Sequence, residues 1–248
     1  DMEAEEVIKK IIFEAFPLHS IIGEETGHTK NGSKYTWHVD PLDGTRNFSN
    51  GFPLITERKI GFWRKFINEI FAFINGARTL SDLRKFGDEK TWPHFWETWV
   101  TREKCAEFGL IPGDLGPASY GPAMHDFPMP SGETFNQFKE VLDQMKTYPN
   151  LRTHLITTWM PFDAIQNKNR KRSVVVAPCH GTVIKMIIQN GQLTLQHVQR
   201  SCDLPVGGVG NIFQYAALTL AIAQVLGLTA HRYIHFFLDA QIYEDQIE

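Results

Sequence analysis

Paired cysteines are missing from this chain. Its 248 residues include three, Cys105, Cys179 and Cys202, an odd number with no CxxC spacing. That pattern argues against a disulfide framework or a cysteine-built zinc site, and predicts a reducing, cytoplasmic setting. Long apolar runs are missing too. No stretch approaches a membrane span, so no membrane partner is expected, and the acidic start DMEAEEVIKK does not read as a signal peptide. Nor is there an excess of positive charge. The formal net charge of -3 argues against a broad nucleic-acid surface, and no nucleic-acid partner is expected. The one basic cluster, NKNRKRS at 167–173, lies between apolar strand-like runs and reads as a solvated loop, with localisation or anion binding the lesser reading. No internal repeat or low-complexity segment is found.

What is there suits a globular chain. The 42% hydrophobic and 12% aromatic content can fill one large core or two modest ones. Val7, Ile8, Ile11, Ile12 and Phe16 recur at helical spacing, and acidic residues in the first turn suit the helix dipole. SIIGEETG and YTWHVDPLDGT read as short strands, each running into a carboxylate-rich turn. Residues 60–75 form a helix apolar nearly all round, ended by Gly76. Glu69 lies inside that helix, where an unpaired carboxylate is costly. Residues 110–132, rich in Gly and Pro, predict a loop. A third helix follows in ETFNQFKEVLDQMK. THLITTW and SVVVAPCH predict strands, and VIKMIIQNGQLTLQHVQ predicts a hairpin with a type I′ turn at Asn190-Gly191. Residues 211–226 form an apolar helix stopped by Gly227, and HRYIHFFLDAQIY a last strand. The fold class is α+β, a mixed sheet with packed helices.

Two constellations carry chemistry. In the first, Glu24, Glu25, Asp40 and Asp43 stand at the ends of two short strands. Clustered carboxylates without His or Cys suit a hard cation such as magnesium, and a turn start at Gly44-Thr45 offers N–H groups to a phosphate. Over residues 4–52 this resembles the inositol monophosphatase family, whose signature joins GEE to a D-P-(L/I)-D-G-T-x-N-F block. The resemblance implies that these four acids and the Leu42 carbonyl hold metal. The further aspartate that family needs, in a later W-D-x-A-x-G block, has no counterpart here, and half a two-metal site cannot align attacking water and leaving oxygen.

The second constellation is an ordered series. GFPLITERK with the helix bearing Glu69, GDLGPASYG, APCHG, QRSCDLPVGGVGN and DAQIY span residues 51–248. Together they resemble the thymidylate synthase family, which includes the pyrimidine nucleotide hydroxymethylases. The chemistry agrees with the residues. Placing a one-carbon group on C5 of a pyrimidine requires that electron-poor carbon to become nucleophilic, and thiolate addition at C6 does this. Cys179, ending a predicted strand before His180, would be the nucleophile, with Arg200 favouring its thiolate. The resemblance adds His180 to the catalytic group.

It further implies that Arg200 and Ser201 grip a nucleotide phosphate, and that Arg152 reaches it across the interface of a homodimer. Thr153 stands where the family usually has a second arginine. Asn211 would read the pyrimidine edge, favouring uracil over cytosine, and also suits a helix N-cap. Glu69 and Tyr120 would serve proton transfer and Tyr243 the ribose, although Gln241 replaces the histidine usual beside it. Asp203, Trp96 and Trp99 would bind folate, with 5,10-methylenetetrahydrofolate the expected donor and a pyrimidine nucleoside monophosphate the acceptor. The family's opening segment, ending near D-R-T-G-T-G, finds no counterpart, and the sequence stops five residues after Tyr243. An open folate site favouring a hydroxymethyl product, or no turnover, is therefore expected.

The expected organisation is a phosphatase-like N-terminal extension over 1–50 joined to a synthase-like domain over 51–248. The favoured activity is conversion of dUMP to dTMP. Three rivals stay open: a pyrimidine nucleotide 5-hydroxymethylase, a magnesium-dependent sugar phosphatase, and an inactive nucleotide-binding protein or artificial chimera.

Overall fold

The computed structural model describes residues 2–15, 17–23, 26–29, 31, 36–39, 60–87, 95–175 and 177–246. Two compact units emerge, Asp1–Arg58 and Lys59–Glu248.

In the first unit the predicted helix forms as α1 (Met2–Ala15), and the predicted strands as β1 (Ser20–Gly23) and β3 (Thr36–Val39). Between them lies β2 (Gly27–Thr29), too short and polar to stand out in the sequence. β1 is central, antiparallel to β2 and parallel to β3. Gly27, at φ +73°, supplies the left-handed residue that the tight β1–β2 reversal requires. Asn31 fastens the entry to the sheet by donating from Nδ2 to the carbonyls of Pro17 and His19, each at 3.2 Å. Glu24, Glu25, Asp40 and Asp43 lie outside the described residues. Among the described residues, no three His, Cys, Asp or Glu side chains cluster as metal ligands.

The second unit is built on a four-stranded mixed sheet ordered β10-β8-β7-β6. These strands are β6 (Leu155–Ile156), β7 (Val183–Gln189), β8 (Gln192–Gln199) and β10 (Thr229–Phe237). The β7–β8 hairpin forms as predicted, with Asn190 at φ 51° and Gly191 at φ 73°, the pair of positive angles a type I′ turn demands. Alternation along β8 buries Leu193, Leu195, His197 and Gln199 on one face. That face is apolar at the hairpin end and polar at the other.

Among the described residues, six further α-helices accompany the long core helix. They are α2 (Ile60–Ile74), α3 (Leu80–Arg84), α4 (Arg102–Glu107), α5 (Tyr120–His125), α6 (Gln137–Thr147) and α7 (Pro161–Ala164). The core helix, α8 (Val209–Leu226), packs on α2 and β10. Its buried residues Gly210, Asn211, Gln214, Tyr215, Leu218, Thr219, Ile222 and Ala223 follow one face of the helix. Gly227, at φ 67°, stops it, and the Leu228 N–H returns to the Ala223 carbonyl at 2.8 Å. By length and composition the segment Leu204–Leu226 could cross a membrane. Its buried Asn211, Gln214 and Thr219 are instead the working face of a core helix.

Several elements differ from expectation. Residues 110–132 are not loop throughout: they contain α5 and reach β4 (Phe127–Pro128), which pairs with β5 (Thr134–Phe135). Pro122 is tolerated because it falls in the first turn, where its missing N–H has no helical acceptor. The described residues of SVVVAPCH form no strand. Their backbone makes single bonds to loops, such as Val175 N to Leu115 O at 3.1 Å, rather than a ladder. Cys179 therefore sits on a loop leading into β7. The predicted strand over 231–243 breaks after Phe237, and β11 (Ala240–Gln241) pairs separately with β9 (Cys202–Asp203).

Gly121 marks the tightest approach of α5 to the end of α2. A Cβ there would lie 2.0 Å from the Ala77 carbonyl oxygen, a backbone atom that cannot swing aside. Gly121→Ala should destabilise the protein by about 1–3 kcal/mol. Chemical denaturation checks this, and unchanged stability would contradict the close crossing.

Candidate active site

Five elements of the second unit deliver side chains to one place. The loop before β7 brings Cys179, the end of β8 brings Arg200, α5 brings Tyr120, α2 brings Glu69, and the first turn of α8 brings Asn211.

Arg200 is tied down on its loop. Its Nε donates to the Pro178 carbonyl at 3.0 Å and its Nη2 to the Ala177 carbonyl at 2.9 Å. The same Nη2 reaches Cys179 Sγ at 3.5 Å, and the guanidinium lies over the Trp159 ring. Tyr120 is fully buried, and its hydroxyl accepts the Cys179 backbone N–H at 2.7 Å. Burial pushes the Cys179 thiol above its usual range, while Arg200 and the Tyr120 hydroxyl pull it back. The arginine does favour the thiolate, as expected, but burial outweighs it.

Glu69 is the buried acid of an apolar helix. It accepts from the Trp96 indole N–H and, at 3.0 Å, from Gln214 Nε2. Burial pushes its carboxyl up to about 7, the two hydrogen bonds only partly opposing this. A carboxyl so placed exchanges protons near neutrality, the useful range for a general acid or base.

His180 stacks on Tyr120 with ring centroids 4.2 Å apart, and its Nδ1 meets the Tyr215 hydroxyl at 2.9 Å. Burial lowers it to about 3, so the ring is neutral and positions Tyr120. Asn211 Oδ1 accepts from Gln199 Nε2 at 3.0 Å, and Asn211 Nδ2 approaches Gln214 Oε1 at 3.5 Å. Ser201 follows directly, its carbonyl accepting from Gln199 Nε2 at 3.1 Å.

Of the other expected residues, Trp96 joins this group through Glu69. Arg152 is exposed in the turn before β6, where its carbonyl accepts from Lys185 Nζ. No bond among the described residues ties Arg152 to Cys179. Asp203 is half-buried and caps the π-helical turn Leu204–Gly208, accepting from Val206 N at 3.3 Å and from Gln246 Nε2 at 3.0 Å. That carboxylate, beside exposed Leu204 and Val206, is an acceptor of the kind the N–H donors of a pterin edge would need, and both its oxygens take Gln246 Nε2 here, each at 3.0 Å. Trp99 is half-exposed under Lys104, whereas Trp96 is buried against Glu69. Tyr243 is half-exposed and bonded through its backbone to Gln246.

Sequence reading missed Gln199, Gln214, His197, Tyr233 and His235. The available signals were polar residues alternating along β8 and an amide one helical turn after Asn211. The basic cluster of 167–173 is largely an exposed loop, with Arg170 over the Phe162 ring and Arg172 over Phe108.

The raised Glu69 carboxyl has a measurable sign. Between the ordinary value of 4.5 and about 7, the unfolded chain has lost this proton and the folded chain keeps it. Stability therefore falls as pH rises through that window, by about 3 kcal/mol in all. Glu69→Gln removes this component. Urea unfolding at about pH 5 and about pH 8 should show a smaller loss in the variant than in the parent, and equal losses would contradict the assignment.

The family model for thymidylate synthase matches residues 18–248. The match begins well before residue 51, inside the segment likened to the inositol monophosphatases, and gives that likeness and a magnesium cofactor no support. It agrees with the mixed α+β fold, with a one-carbon transferase acting on a uridine nucleotide, and with methylenetetrahydrofolate as the one-carbon source. With the match covering nearly the whole chain and the thiol, acid and amide gathered in one site, the protein belongs to the thymidylate synthase family.

Proposed function

We propose that this chain converts dUMP to dTMP, with Cys179 as the covalent nucleophile. The observation that carries the reading is the convergence of Cys179, Arg200, Tyr120, Glu69 and Asn211 from five elements. Cys179 gives its proton to solvent, and Arg200 is left as the thiolate's counter-charge. The thiolate adds to C6 of uracil, forming an S–C6 bond, and the displaced electron pair moves toward O4, so that C5 becomes nucleophilic. Glu69 supplies a proton toward O4, which its carboxyl near neutrality suits. C5 then bonds to the one-carbon unit that methylenetetrahydrofolate would supply, and Tyr120 assists removal of the C5 proton. Once the transferred carbon has received its hydride, expulsion of Sγ restores the C5–C6 double bond.

Binding is divided among the other residues. Asn211 meets the uracil edge, and Arg200 and Ser201 meet the phosphate. Arg152 reaches the phosphate in a second copy of the chain, within a cytoplasmic homodimer. Tyr243 meets the ribose. Asp203, Trp96 and Trp99 hold methylenetetrahydrofolate, which supplies the one-carbon unit and, for a methyl product, the hydride. In this organisation the first fifty residues are an extension of the synthase-like domain.

Release of tritium from dUMP labelled at C5, in the presence of methylenetetrahydrofolate, tests the reading. The parent should release it, Cys179→Ser should fall to background, and Glu69→Gln should lower kcat by about 10²–10⁴-fold. Dihydrofolate formed in step with tritium release identifies the methyl product. Tetrahydrofolate in its place identifies the hydroxymethyl product, and release indifferent to Cys179→Ser would overturn the nucleophile.

A further inference from the structure

One end of the buried polar network is a backbone N–H, and that end dictates the rest. The Gly181 N–H points at His197 Nε2 at 2.8 Å. An N–H can only donate, so Nε2 is bare and the neutral ring carries its proton on Nδ1. That proton faces the Tyr233 hydroxyl at 3.1 Å. Tyr233 must then turn its own hydrogen to His235 Nδ1, 2.9 Å away. With Nδ1 accepting, His235 carries its proton on Nε2 and donates it to Gln199 Oε1 at 3.0 Å. The two histidines are therefore locked in opposite tautomers, although their tilted rings meet with centroids 4.2 Å apart. The register explains their meeting, since His235 lies directly beside His197 across parallel strands β10 and β8.

Two backbone carbonyls corroborate the direction independently. Ser201 O can only accept, and it takes Gln199 Nε2 at 3.1 Å. Phe66 O takes Gln214 Nε2 at 2.8 Å. Both amides are thus oriented by groups that cannot reverse. Asn211 lies between them, with Gln199 Nε2 against its Oδ1 at 3.0 Å and Gln214 Oε1 facing its Nδ2 at 3.5 Å. Turning the Asn211 amide over would set N–H against N–H on one side and oxygen against oxygen on the other. Burial reinforces the relay by keeping His235 neutral, lowered to about 4.

We propose that His197, Tyr233, His235, Gln199 and Gln214 form a one-way hydrogen-bond relay that locks the Asn211 amide in the orientation matching uracil, and so act as specificity-determining positioning residues. This rests on Asn211 reading the pyrimidine edge. Asn211 keeps one N–H and one lone pair beyond those the relay uses. In the locked orientation these match a carbonyl beside a ring N–H, as in uracil, and oppose the amino group and bare nitrogen of cytosine. The chain thereby spends histidines and a tyrosine within its sheet on holding one amide.

The test has two arms. Nitrogen-15 NMR of the parent, with no nucleotide present, should show His197 protonated on Nδ1 alone and His235 on Nε2 alone. The same tautomer in both, or a charged ring at neutral pH, would overturn the relay. Calorimetry with dUMP and dCMP then compares the parent with Gln199→Glu, whose carboxylate can accept the His235 proton but cannot donate to Asn211 Oδ1. The dUMP preference should shrink about tenfold, the worth of one hydrogen bond, through tighter dCMP binding. Mere damage to the site would weaken both nucleotides. Equal weakening, or an unchanged ratio, would overturn the orienting role. A parent that binds neither nucleotide would overturn the pyrimidine reading of the site, while the tautomers still decide the relay.

Discussion

Glu69 places a carboxyl inside a helix beside the buried Phe66, Ile70, Ala72 and Phe73. An ionised carboxylate without partners there would cost several kcal/mol. The protein resolves this by bringing two donors from separate elements, the Trp96 indole and the Gln214 amide, and by letting the carboxyl stay partly protonated near neutrality. That one requirement fixes how α2, the turn at Phe95–Thr98 and the second turn of α8 meet. Gly210 records how closely α2 and α8 approach, since a Cβ there would strike the Phe66 ring at 1.9 Å. The helix start that presents Asn211 is thus set by the same packing that buries the acid.

The thiol depends on a different economy. Cys179 lies on a loop whose carbonyls at Ala177 and Pro178 would be costly to bury without donors. Arg200 supplies those donors and, in the same geometry, stands beside Sγ. A cation that shapes the loop is pre-placed to favour the thiolate, with no reorganisation needed when charge develops. Tyr120 repeats the pattern from the other side, its hydroxyl accepting the Cys179 N–H while its ring stacks between Phe73 and His180. Structure and chemistry draw on the same bonds.

The long elements were legible in the sequence because each carries its own period and stop signal. The hairpin announced itself through Asn190-Gly191, and the core helix through its apolar run and Gly227. Glu69 stood out because a lone carboxylate in an apolar helix demands an explanation, and Cys179 because its neighbours matched an ordered series. What stayed hidden depended on distant parts of the chain. Among the described residues, SVVVAPCH has strand-like residues but pairs with no strand, so its β-propensity was overridden. His197, Tyr233 and His235 look like ordinary strand residues one at a time. Their meaning arises only when parallel pairing of β8 with β10 sets His197 beside His235. Gln199 and Gln214 were likewise invisible as partners, because their contacts join β8 to α8 and α8 to α2.

The central claim is that Cys179 is a covalent nucleophile toward C6 of a uridine nucleotide in a site that also takes folate. Intact-protein mass after incubation with 5-fluoro-deoxyuridylate and methylenetetrahydrofolate tests it most directly, because fluorine at C5 cannot leave as a proton and the covalent complex is trapped. The account predicts a mass increase equal to both ligands in the parent and none in Cys179→Ser. A folded parent that gains no mass, or a serine variant that gains the same mass, would contradict it.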